Sequence, residues 1–364
     1  MIGLDLDIDA DIGRARTPHP RLYLDDESWM LMRERVFARS WQWLGDLDNV
    51  ASPSSLTPLP LLPGLLDEPL LLSRDGAGCL RLLSNVCTHR ASLLVDRPCS
   101  SAHIRCPYHG RRFELDGRMT HGPGFEATPG FPTAADDLPQ LPLAHWGPLA
   151  FGALAPAAPF EQVFGDAKAR LAWLPWDEFV RDPTRDRDYS FDAHWALYVE
   201  NYLEGLHIPF LHPGLARTLA LGGYRDELFP ASTLQLAPAR VGEAAFDLPP
   251  SSPDLGQRIA AYYWWLWPNL MLNFYPWGLS LNLVLPQGPA RTRVQFRAWV
   301  RDPELLGSGA GGALDTVEQE DETAVERVQR GLRSRLAGRG RYSPTQEQGL
   351  HHFHRLLAAA LAAP

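Results

Sequence analysis

Short apolar runs separated by turn-forming residues predict small β structure between residues 69 and 155. Within it, residues 112–115 alternate between polar and apolar side chains and lead into Asp116-Gly117, a dipeptide typical of tight hairpins. Repeated prolines between residues 121 and 145 predict an extended loop that leaves this region. The first part of the chain is therefore expected to contain a small all-β domain.

Longer elements are predicted from about residue 156 onwards. Apolar residues between 262 and 300 form long runs and then alternate over 292–300, which predicts an antiparallel sheet. Residues 189–195 are predicted as a further strand. Helical periodicity is found at residues 25–39, 160–174 and 314–336.

Length and charge limit the classes of protein to which this chain can belong. Its 364 residues are enough for two domains, and a formal net charge of −9 argues against a nucleic-acid-binding protein. Residues 1–10 lack the basic and apolar regions of a signal peptide, and no apolar run approaches the length of a membrane span. We therefore expect a cytoplasmic protein without nucleic-acid or membrane partners.

Two of the four cysteines occur with histidines in the pattern Cys87-x-His89 and Cys106-x2-His109. Two thiolates and two imidazoles suit either a zinc ion or a Rieske [2Fe–2S] cluster. Zinc fingers usually group the cysteines at one end and the histidines at the other, whereas here each cysteine has its own histidine. The order of ligands therefore favours the cluster. A zinc ribbon, or a chance clustering of these side chains, is the alternative.

A second group of metal-ligand residue types follows in Glu204-x2-His207-x4-His212. On a continuous helix His207 and His212 would point in different directions, so they could share an ion only if Pro209 breaks the helix. Two imidazoles and one carboxylate would form the facial triad of non-haem Fe(II) oxygenases. The alternative is that both histidines are packing or surface residues.

The predicted helix 314–336 offers the third ligand. Asp321 lies in the middle of its apolar face, Glu318 lies at the edge, and Glu320 and Glu322 fall outside it and can be solvated. A carboxylate on a core-facing stripe is costly unless it is paired or bound to a metal. Asp321 is therefore the expected ligand. The alternatives are a salt bridge from Asp321 to a buried arginine and a position at a frayed helix start. The apolar face comprises Leu314, Val317, Ala324, Val325, Val328 and Leu332.

The remaining cysteines and a late group of histidines match no ligand pattern. Cys79 and Cys99 are expected to be buried thiols without a disulfide. His351, His352 and His354 are expected at the surface or in a subunit contact.

Together these motifs make the chain similar to the Rieske non-haem iron oxygenases, and in particular to the α subunits of ring-hydroxylating oxygenases. The resemblance covers nearly the whole chain. It implies a [2Fe–2S] Rieske cluster and a mononuclear Fe(II). The implied cluster ligands are Cys87, His89, Cys106 and His109, and the implied iron ligands are His207, His212 and Asp321.

The resemblance also implies a fold and a division of the chain. The implied class is α+β, with a small all-β Rieske [2Fe–2S] domain at 41–155 and a catalytic domain at 156–364. The catalytic domain is expected to have a helix-grip fold, in which an antiparallel sheet surrounds a long helix. An N-terminal segment, 1–40, is expected to pack on the catalytic domain.

Two positions depart from many members of the family. Glu204 stands where aspartate is common, and it is expected to link electron flow from a Rieske histidine of a neighbouring subunit to the mononuclear iron. Glutamate at this position resembles the branch that acts on choline, carnitine and glycine betaine. Arg111 stands where many members have a tryptophan after the His-Gly pair.

Aromatic residues in the predicted sheet offer faces for a quaternary ammonium ion. They are Trp264, Trp265, Trp267, Phe274, Tyr275 and Trp277. Because aromatic residues are common in sheet cores, the favoured interpretation is that most of them fill the interior.

The resemblance implies a terminal oxygenase that uses O2 to hydroxylate a small organic substrate. Its electrons are expected from an NAD(P)H-dependent reductase, with or without a ferredoxin, and a homotrimer is expected. The expected substrate is a quaternary ammonium compound or alkylamine, and the alternative is an aromatic or other apolar compound. A non-enzymatic Rieske electron carrier or zinc-binding module is the interpretation from another class.

Overall fold

The structure is a computed structural model that describes residues 6–47 and 52–363. It divides into two compact units: one runs to Phe37 and resumes at Ala158, and the other is Ala38–Ala157. Helices and antiparallel sheets are both present, which confirms the predicted α+β class. Among the described residues, no helix is both long and apolar enough to cross a lipid bilayer.

The unit Ala38–Ala157 is built from three antiparallel sheets. Its strands are β1 (Gln42–Asp46), β2 (Ser55–Leu61), β3 (Glu68–Arg74), β4 (Leu80–Ser84), β5 (Cys99–Ser100), β6 (Ile104–Arg105), β7 (Arg112–Phe113), β8 (Met119–His121), β9 (Gln140–Leu141), β10 (Leu143–Trp146) and β11 (Leu149–Gly152). The strand orders are β1-β11-β10, β5-β2-β3-β4-β9 and β6-β7-β8. Leucines of the central strands pack with Phe113 in its hydrophobic core.

The predicted hairpin at Asp116-Gly117 connects β7 to β8. Gly117 has φ of +90°, a conformation that favours glycine, and an added Cβ would lie 3.1 Å from the side chain of Leu83. The predicted loop at 121–145 is interrupted by β9 and β10. Pro139 and Pro142 flank β9 instead of interrupting it, so they remove no N–H that its pairing with β4 needs.

The other unit combines helices with one large antiparallel sheet. The helices are α1 (Arg21–Leu24), α2 (Asp26–Arg35), α3 (Phe160–Arg170), α4 (Trp195–Tyr202), α5 (Ile208–Leu211), α6 (Pro213–Thr218), α7 (Leu314–Leu332) and α8 (Gln348–Ala362). The strands are β12 (Val180–Arg181), β13 (Arg187–Phe191), β14 (Arg225–Phe229), β15 (Ser232–Pro238), β16 (Ile259–Leu266), β17 (Leu270–Tyr275), β18 (Gly278–Gly288) and β19 (Arg291–Val300). The sheet order is β12-β19-β18-β17-β16-β15-β14, and β13 also pairs with β19.

Burial explains the sequence pattern of this sheet. On β19, side chains such as Val294 and Phe296 are buried, while Arg293 and Arg297 project to the other side and bind Asp188 of β13. The predicted alternation over 292–300 is therefore confirmed. Strand β16 and strand β17 are buried along their whole length, which is why their sequences form continuous apolar runs.

The buried face of helix α7 is rotated from the predicted one and shares Val325 with it. Its buried side chains are Glu318, Val325 and Gln329, whereas Val328 is 48% exposed. Glu318 and Gln329 can be buried because α4 and the turn before it supply hydrogen-bond donors to their side chains. The hydroxyl of Tyr198 donates to Glu318 Oε2 over 2.6 Å, and the backbone N–H of His194 donates to Gln329 Oε1 over 2.9 Å.

The same turn corrects the strand predicted at 189–195. Strand β13 ends at Phe191, and α4 already begins at Trp195. His194 ends the extended segment because its Nδ1 accepts a hydrogen bond from the backbone N–H of Ala196, as an N-cap side chain does.

Three further predictions about individual residues were wrong or incomplete. His351 and His354 are buried by α8, not exposed: His351 Nε2 lies 2.8 Å from the backbone oxygen of Asp9, and His354 Nδ1 lies 2.7 Å from the hydroxyl of Tyr342. His352 is half-buried, with its Nε2 2.7 Å from the backbone oxygen of Phe229. Cys79 and Cys99 form no disulfide, as predicted, but both are exposed.

The contact between α8 and β14 leads to a prediction about pH. Asp226 Oδ2 accepts a hydrogen bond from the N–H of Gly349 over 3.1 Å, and burial raises the pKa of Asp226 to about 6. The folded protein therefore binds this proton more tightly than the unfolded chain, so stability is lost as pH rises from about 4 to about 6. Asp226→Asn is expected to raise the free energy of unfolding at pH 7 by about 1–3 kcal/mol.

Thermal unfolding midpoints between pH 5 and pH 7.5 test this expectation. The advantage of Asp226→Asn over wild type should grow with pH, while Asp247→Asn, a change at an exposed acid, should track the wild type. A constant difference between the two curves would contradict the role of the Asp226 carboxyl.

Candidate active site

The structure brings His207, His212 and Asp321 to one point. Nε2 of His212 lies 2.9 Å from Oδ1 of Asp321, and Nε2 of His207 lies 3.8 Å from the same oxygen. Ligand atoms of all three residues lie within 4.8 Å of one another, so they could bind a single metal ion. His207 and His212 flank α5, and Asp321 belongs to α7.

The two imidazoles converge for a reason that differs from the predicted one. Helix α4 ends at Tyr202, before His207, and Pro209 lies in the first turn of α5 instead of breaking a longer helix. Pro213 likewise opens α6 directly after His212. Proline is tolerated in a first helical turn because the N–H it lacks would have no partner inside the helix. The histidines thus occupy the two ends of one short helix, with ring centroids 5.0 Å apart.

Each histidine has its own glutamate on the opposite ring nitrogen. Nδ1 of His207 lies 2.5 Å from Oε1 of Glu204, and Nδ1 of His212 lies 2.7 Å from Oε2 of Glu320. A carboxylate at Nδ1 fixes the tautomer that leaves Nε2 free to bind a metal. Glu320, predicted to be solvated, is therefore a partner of the site.

Asp321 is held by hydrogen bonding as well. Nδ2 of Asn201 donates to Oδ1 of Asp321 over 2.6 Å. Burial alone lowers the pKa of His212, but the hydrogen bonds and charges of Asp321 and Glu320 outweigh burial, so the pKa is raised. Two imidazoles and one carboxylate with donors converging in this way are the ligand set of non-haem Fe(II) centres.

A cavity of about 100 Å³ opens beside these ligands, between one face of the sheet and the helices α4 and α7. Of the aromatic residues singled out in the sequence, Tyr275 lines it, whereas Trp264, Trp265 and Phe274 are fully buried in the sheet. The favoured interpretation of those rings as core residues is thus confirmed for these three. The aromatic rings lining the cavity are Tyr198, Tyr202, Tyr224, Tyr263, Tyr275 and Phe296.

Three of these tyrosines form a fixed aromatic corner, defined here as Tyr202, Tyr263 and Tyr275. The rings of Tyr202 and Tyr263 are nearly perpendicular, as are those of Tyr263 and Tyr275, with centroids 6.5 Å and 5.8 Å apart. The Tyr202 hydroxyl donates to Oδ1 of Asn273 over 2.7 Å, which holds this ring against the sheet. Burial raises the pKa of all three tyrosines, so the hydroxyls stay protonated.

A glycine packs closely against Tyr275. An added Cβ on Gly311 would lie 2.3 Å from Nε1 of Trp277 and 2.9 Å from Cγ of Tyr275. Neither Tyr202 nor Tyr263 was identified from the sequence as a residue that lines the cavity. Pairing of Tyr263 with Asn273, two residues before Tyr275, places their side chains on one face of the sheet.

Glu318 is a further carboxyl in the cavity wall. Its side chain is 3% exposed, Oε2 accepts from Tyr198, and Oε1 has no hydrogen-bond partner. Burial raises its pKa well above the usual range of a glutamate. The sequence placed Glu318 only at the edge of the apolar face, so its burial was not foreseen.

In the other unit, the Cys/His motifs lie on two similar loops. One follows β4, and the other connects β6 to β7. Each is closed at its cysteine: the N–H of Cys87 donates to the carbonyl of Ser92 over 2.9 Å, and the N–H of Cys106 donates to the carbonyl of Arg111 over 2.8 Å. The second loop turns at Gly110, whose φ of +74° favours glycine.

The four predicted cluster ligands lie together at the tips of these loops. Cys87 and Cys106 are buried and within hydrogen-bonding distance of each other, and the rings of His89 and His109 are 4.7 Å apart. Backbone N–H groups of the two loops donate to both sulfurs, which suits thiolates. His89 Nδ1 is buried without a hydrogen-bond partner, as expected of a nitrogen that binds a metal. The donor set therefore fits an iron–sulfur cluster.

Arg111 is part of the core beside this cluster site. It is 4% exposed, and its guanidinium lies over the rings of Phe125 and Phe131, at 4.7 Å and 5.1 Å from their centroids. It also lies 3.7 Å from a carboxylate oxygen of Asp136 and donates to Thr88 Oγ1 over 3.3 Å. In this chain a stacked and paired arginine fills the position at which tryptophan is common in the family.

Comparison with known families agrees with both sites. A model for the ring hydroxylating alpha subunit (catalytic domain) matches residues 180–363, half of the chain, and a model for the Rieske [2Fe-2S] domain matches residues 41–132. The chain belongs to the Rieske non-haem iron oxygenases.

Relatives of this Rieske oxygenase match over nearly its whole length. The choline monooxygenase, chloroplastic, of Arabidopsis thaliana is 30% identical over 94% of this chain and 82% of that protein. The carnitine monooxygenase oxygenase subunit of Escherichia coli (strain K12) is 28% identical over 93% of this chain and 92% of that protein.

Two solved structures share the fold. The quaternary ammonium Rieske monooxygenase CntA in complex with L-carnitine has a TM-score of 0.75 at 23% identity, and the match covers 99% of both chains. Naphthalene 1,2-dioxygenase from Rhodococcus sp. has a TM-score of 0.68 at 19% identity, with 94% of this chain and 93% of that chain covered.

As a Rieske oxygenase, the protein is an oxidoreductase that incorporates oxygen from O2 into a substrate. Its cofactors are a [2Fe–2S] cluster and a mononuclear iron, and the two donor sets described above fit them. The interpretations as a non-enzymatic electron carrier or a zinc-binding module are therefore wrong.

Asp321→Ala is expected to remove the mononuclear iron and abolish turnover, because Asp321 supplies the oxygen that lies next to both Nε2 atoms. The visible absorption of the cluster should remain. Metal analysis should fall from about three irons per chain to about two, with acid-labile sulfide unchanged. Asp315→Ala, at an exposed acid of the same helix, is the control, and turnover by Asp321→Ala would refute the ligand assignment.

Arg111→Ala is expected to destabilise the cluster-bearing unit by about 2–4 kcal/mol, because it removes two cation–π contacts and the ion pair between Arg111 and Asp136. Thermal unfolding monitored by the visible absorption of the cluster measures the effect. Arg112→Ala changes a neighbouring, exposed arginine and should leave the midpoint within about 1 °C of wild type. Equal midpoints for all three proteins would show that the stacked guanidinium contributes nothing.

Proposed function

We propose that this Rieske oxygenase is a monooxygenase that hydroxylates a carbon next to the nitrogen of a quaternary ammonium compound or alkylamine. The C–N bond of the hydroxylated product then breaks, which leaves the nitrogen dealkylated and releases the hydroxylated carbon as an aldehyde together with a proton. The observation that carries the proposal is the aromatic corner beside His207, His212 and Asp321. The faces of tyrosine rings attract an ammonium group. Relatives named for choline and carnitine support the same substrate class.

We assign the mononuclear iron to His207, His212 and Asp321. We assign the [2Fe–2S] cluster to Cys87, His89, Cys106 and His109. When bound, the iron supplies O2 activation for hydroxylation and the cluster supplies the electrons.

The surrounding residues prepare the iron site. Glu204 and Glu320 hold the Nδ1 protons of the two histidines, so each Nε2 lone pair faces the metal position. Asn201 holds the Asp321 carboxylate in the orientation that both histidines require. Because these partners are already in place, binding the metal needs little reorganisation.

The cavity residues position the substrate. The hydrogen bond from Tyr202 to Asn273 and the perpendicular ring contacts fix the rings of the aromatic corner, which limits the orientations that a small ammonium group can take. Displacement of water by the bound substrate strengthens the attraction between its cation and the rings, since the local dielectric constant falls.

Electrons are proposed to come from an NAD(P)H-dependent reductase, with or without a ferredoxin. The chain is proposed to act as a homotrimer in which Glu204 links the cluster histidine of a neighbouring subunit to His207. The short distance from Glu204 to His207 Nδ1 supports this role. The structure of a quaternary ammonium Rieske monooxygenase with the same fold has been described as giving insight into inter-subunit electron transfer in that protein. The cytoplasmic location stays a prediction.

An aromatic or other apolar compound is the second candidate substrate. Ile208, Leu215 and Val317 give the cavity an apolar side, which favours such a compound. The same irons would serve either substrate, so the two candidates differ in what the cavity binds.

Substrate-dependent O2 uptake separates the candidates. With a reductase and NAD(P)H, choline, carnitine, glycine betaine and simple trimethylalkylammonium ions are compared with naphthalene and other arenes, and the products are identified. We expect O2 uptake coupled to product formation with at least one ammonium compound. Uptake coupled to an arene alone would refute the proposal.

A further inference from the structure

Glu318 is a polar group in the cavity wall that the metal site does not use. The side chain lies on the same face of α7 as Asp321, is 3% exposed, and is anchored by the Tyr198 hydroxyl at Oε2. Oε1 has no hydrogen-bond partner. A buried carboxylate with one oxygen unpaired is unfavourable unless a donor or a cation completes it. Without a cation beside it, burial favours the protonated form of this carboxyl and raises its pKa. An ammonium group next to Oε1 would stabilise the ionised form and complete an ion pair.

The other charges of the cavity have partners within the protein. Glu204 lies against His207, and Asp321 lies against both histidines and Asn201. No lysine or arginine is found among the described residues that line the cavity. Glu318 is therefore the carboxyl left for a ligand, and a positively charged ligand would meet no repulsion from a lining cation.

The same charges disfavour a ligand that carries a carboxylate. A zwitterion such as glycine betaine or carnitine brings one negative charge into the cavity together with its ammonium group. Among the described residues that line the cavity, amides such as those of Gln235 and Asn282 could donate hydrogen bonds to this carboxylate, but no cationic side chain is available to pair with it. Like charges at close range in a desolvated site repel, and removing a carboxylate from water without a cationic partner is costly.

We propose that Glu318 is the counter-charge for the ammonium group of the substrate, and that the cavity selects a net-cationic alkylammonium compound over its uncharged isostere and over a zwitterion. This inference rests on the proposed function, since it concerns the same cavity. It narrows the substrate class to ammonium compounds with a neutral remainder, such as an aminoalcohol. Glu318 acts here by binding and orienting, and Tyr198 positions it.

Equilibrium binding to the iron-loaded holoenzyme under anaerobic conditions tests the inference without turnover. The probes are choline, glycine betaine and 3,3-dimethylbutan-1-ol, an uncharged isostere of choline. Wild type is expected to bind choline at least about tenfold more tightly than either of the other two. Calorimetry gives the dissociation constants, and O2 uptake with the same probes gives KM and kcat.

Glu318→Gln keeps an acceptor for the Tyr198 hydroxyl and removes the charge, so the fold is expected to persist. It should weaken choline binding about tenfold or more and leave 3,3-dimethylbutan-1-ol within about twofold of wild type. Glu318→Asp retains the charge and should restore part of the preference for choline. Glu326→Gln is the matched control, because Glu326 lies on the same helix outside the cavity and its amide can still accept from the N–H of Asp192.

Each other outcome overturns the inference in a recognisable way. Equal losses for choline and its uncharged isostere in Glu318→Gln would mean that Glu318 only shapes the cavity. Unchanged choline binding, or tighter wild-type binding of glycine betaine than of choline, would refute the counter-charge while leaving an ammonium oxygenase intact. Failure of wild type to bind or oxidise any ammonium compound, with turnover of an arene, would refute the proposed function itself.

Discussion

Two imidazole rings at the two ends of one short helix must present the same ring nitrogen to one point. A neutral imidazole has one nitrogen that carries a proton and one that can bind a metal. Protein groups next to each ring must therefore hold the proton on Nδ1, so that Nε2 is available to the metal. Glu204 and Glu320 do this at Nδ1 of His207 and His212. The rest of the catalytic unit serves this requirement, because Glu204 follows α4 and Glu320 belongs to α7. The buried hydrogen bonds between these two elements fix the distance that the pairing needs.

The chemistry of the sites was more predictable from sequence than the way the backbone builds them. Few residue types can bind iron, so the candidate ligands could be identified from residue type and spacing. The backbone path that brings the two histidines together could not be predicted in the same way. Pro209 was expected to break a helix, but it lies in the first turn of one. Spacing restricts where a chain can turn, and whether a proline ends or begins a helix depends on the residues that pack around it.

The same limit applies to α7 and the cavity. An amphipathic pattern assumes that a buried face is apolar, and α7 instead buries Glu318 and Gln329 because α4 and the turn before it supply donors from far away in the sequence. The aromatic corner was missed for a related reason. Tyr202 is brought to the sheet by a helix end, and Tyr263 faces the cavity only because of the strand register. The antiparallel strands between residues 262 and 300 and the small β unit, by contrast, follow from local apolar runs, alternation and turn residues, and these signals predicted them.

The close packing of Gly311 restricts the size of the residue at this position. A larger side chain there would meet Nε1 of Trp277 at 2.3 Å and Cγ of Tyr275 at 2.9 Å, so at least one of the two rings would have to move. These rings are stacked on each other, with centroids 5.3 Å apart, and Tyr275 lines the cavity. A substitution at a residue that is neither an iron ligand nor a partner of one would therefore be felt in the shape of the substrate cavity.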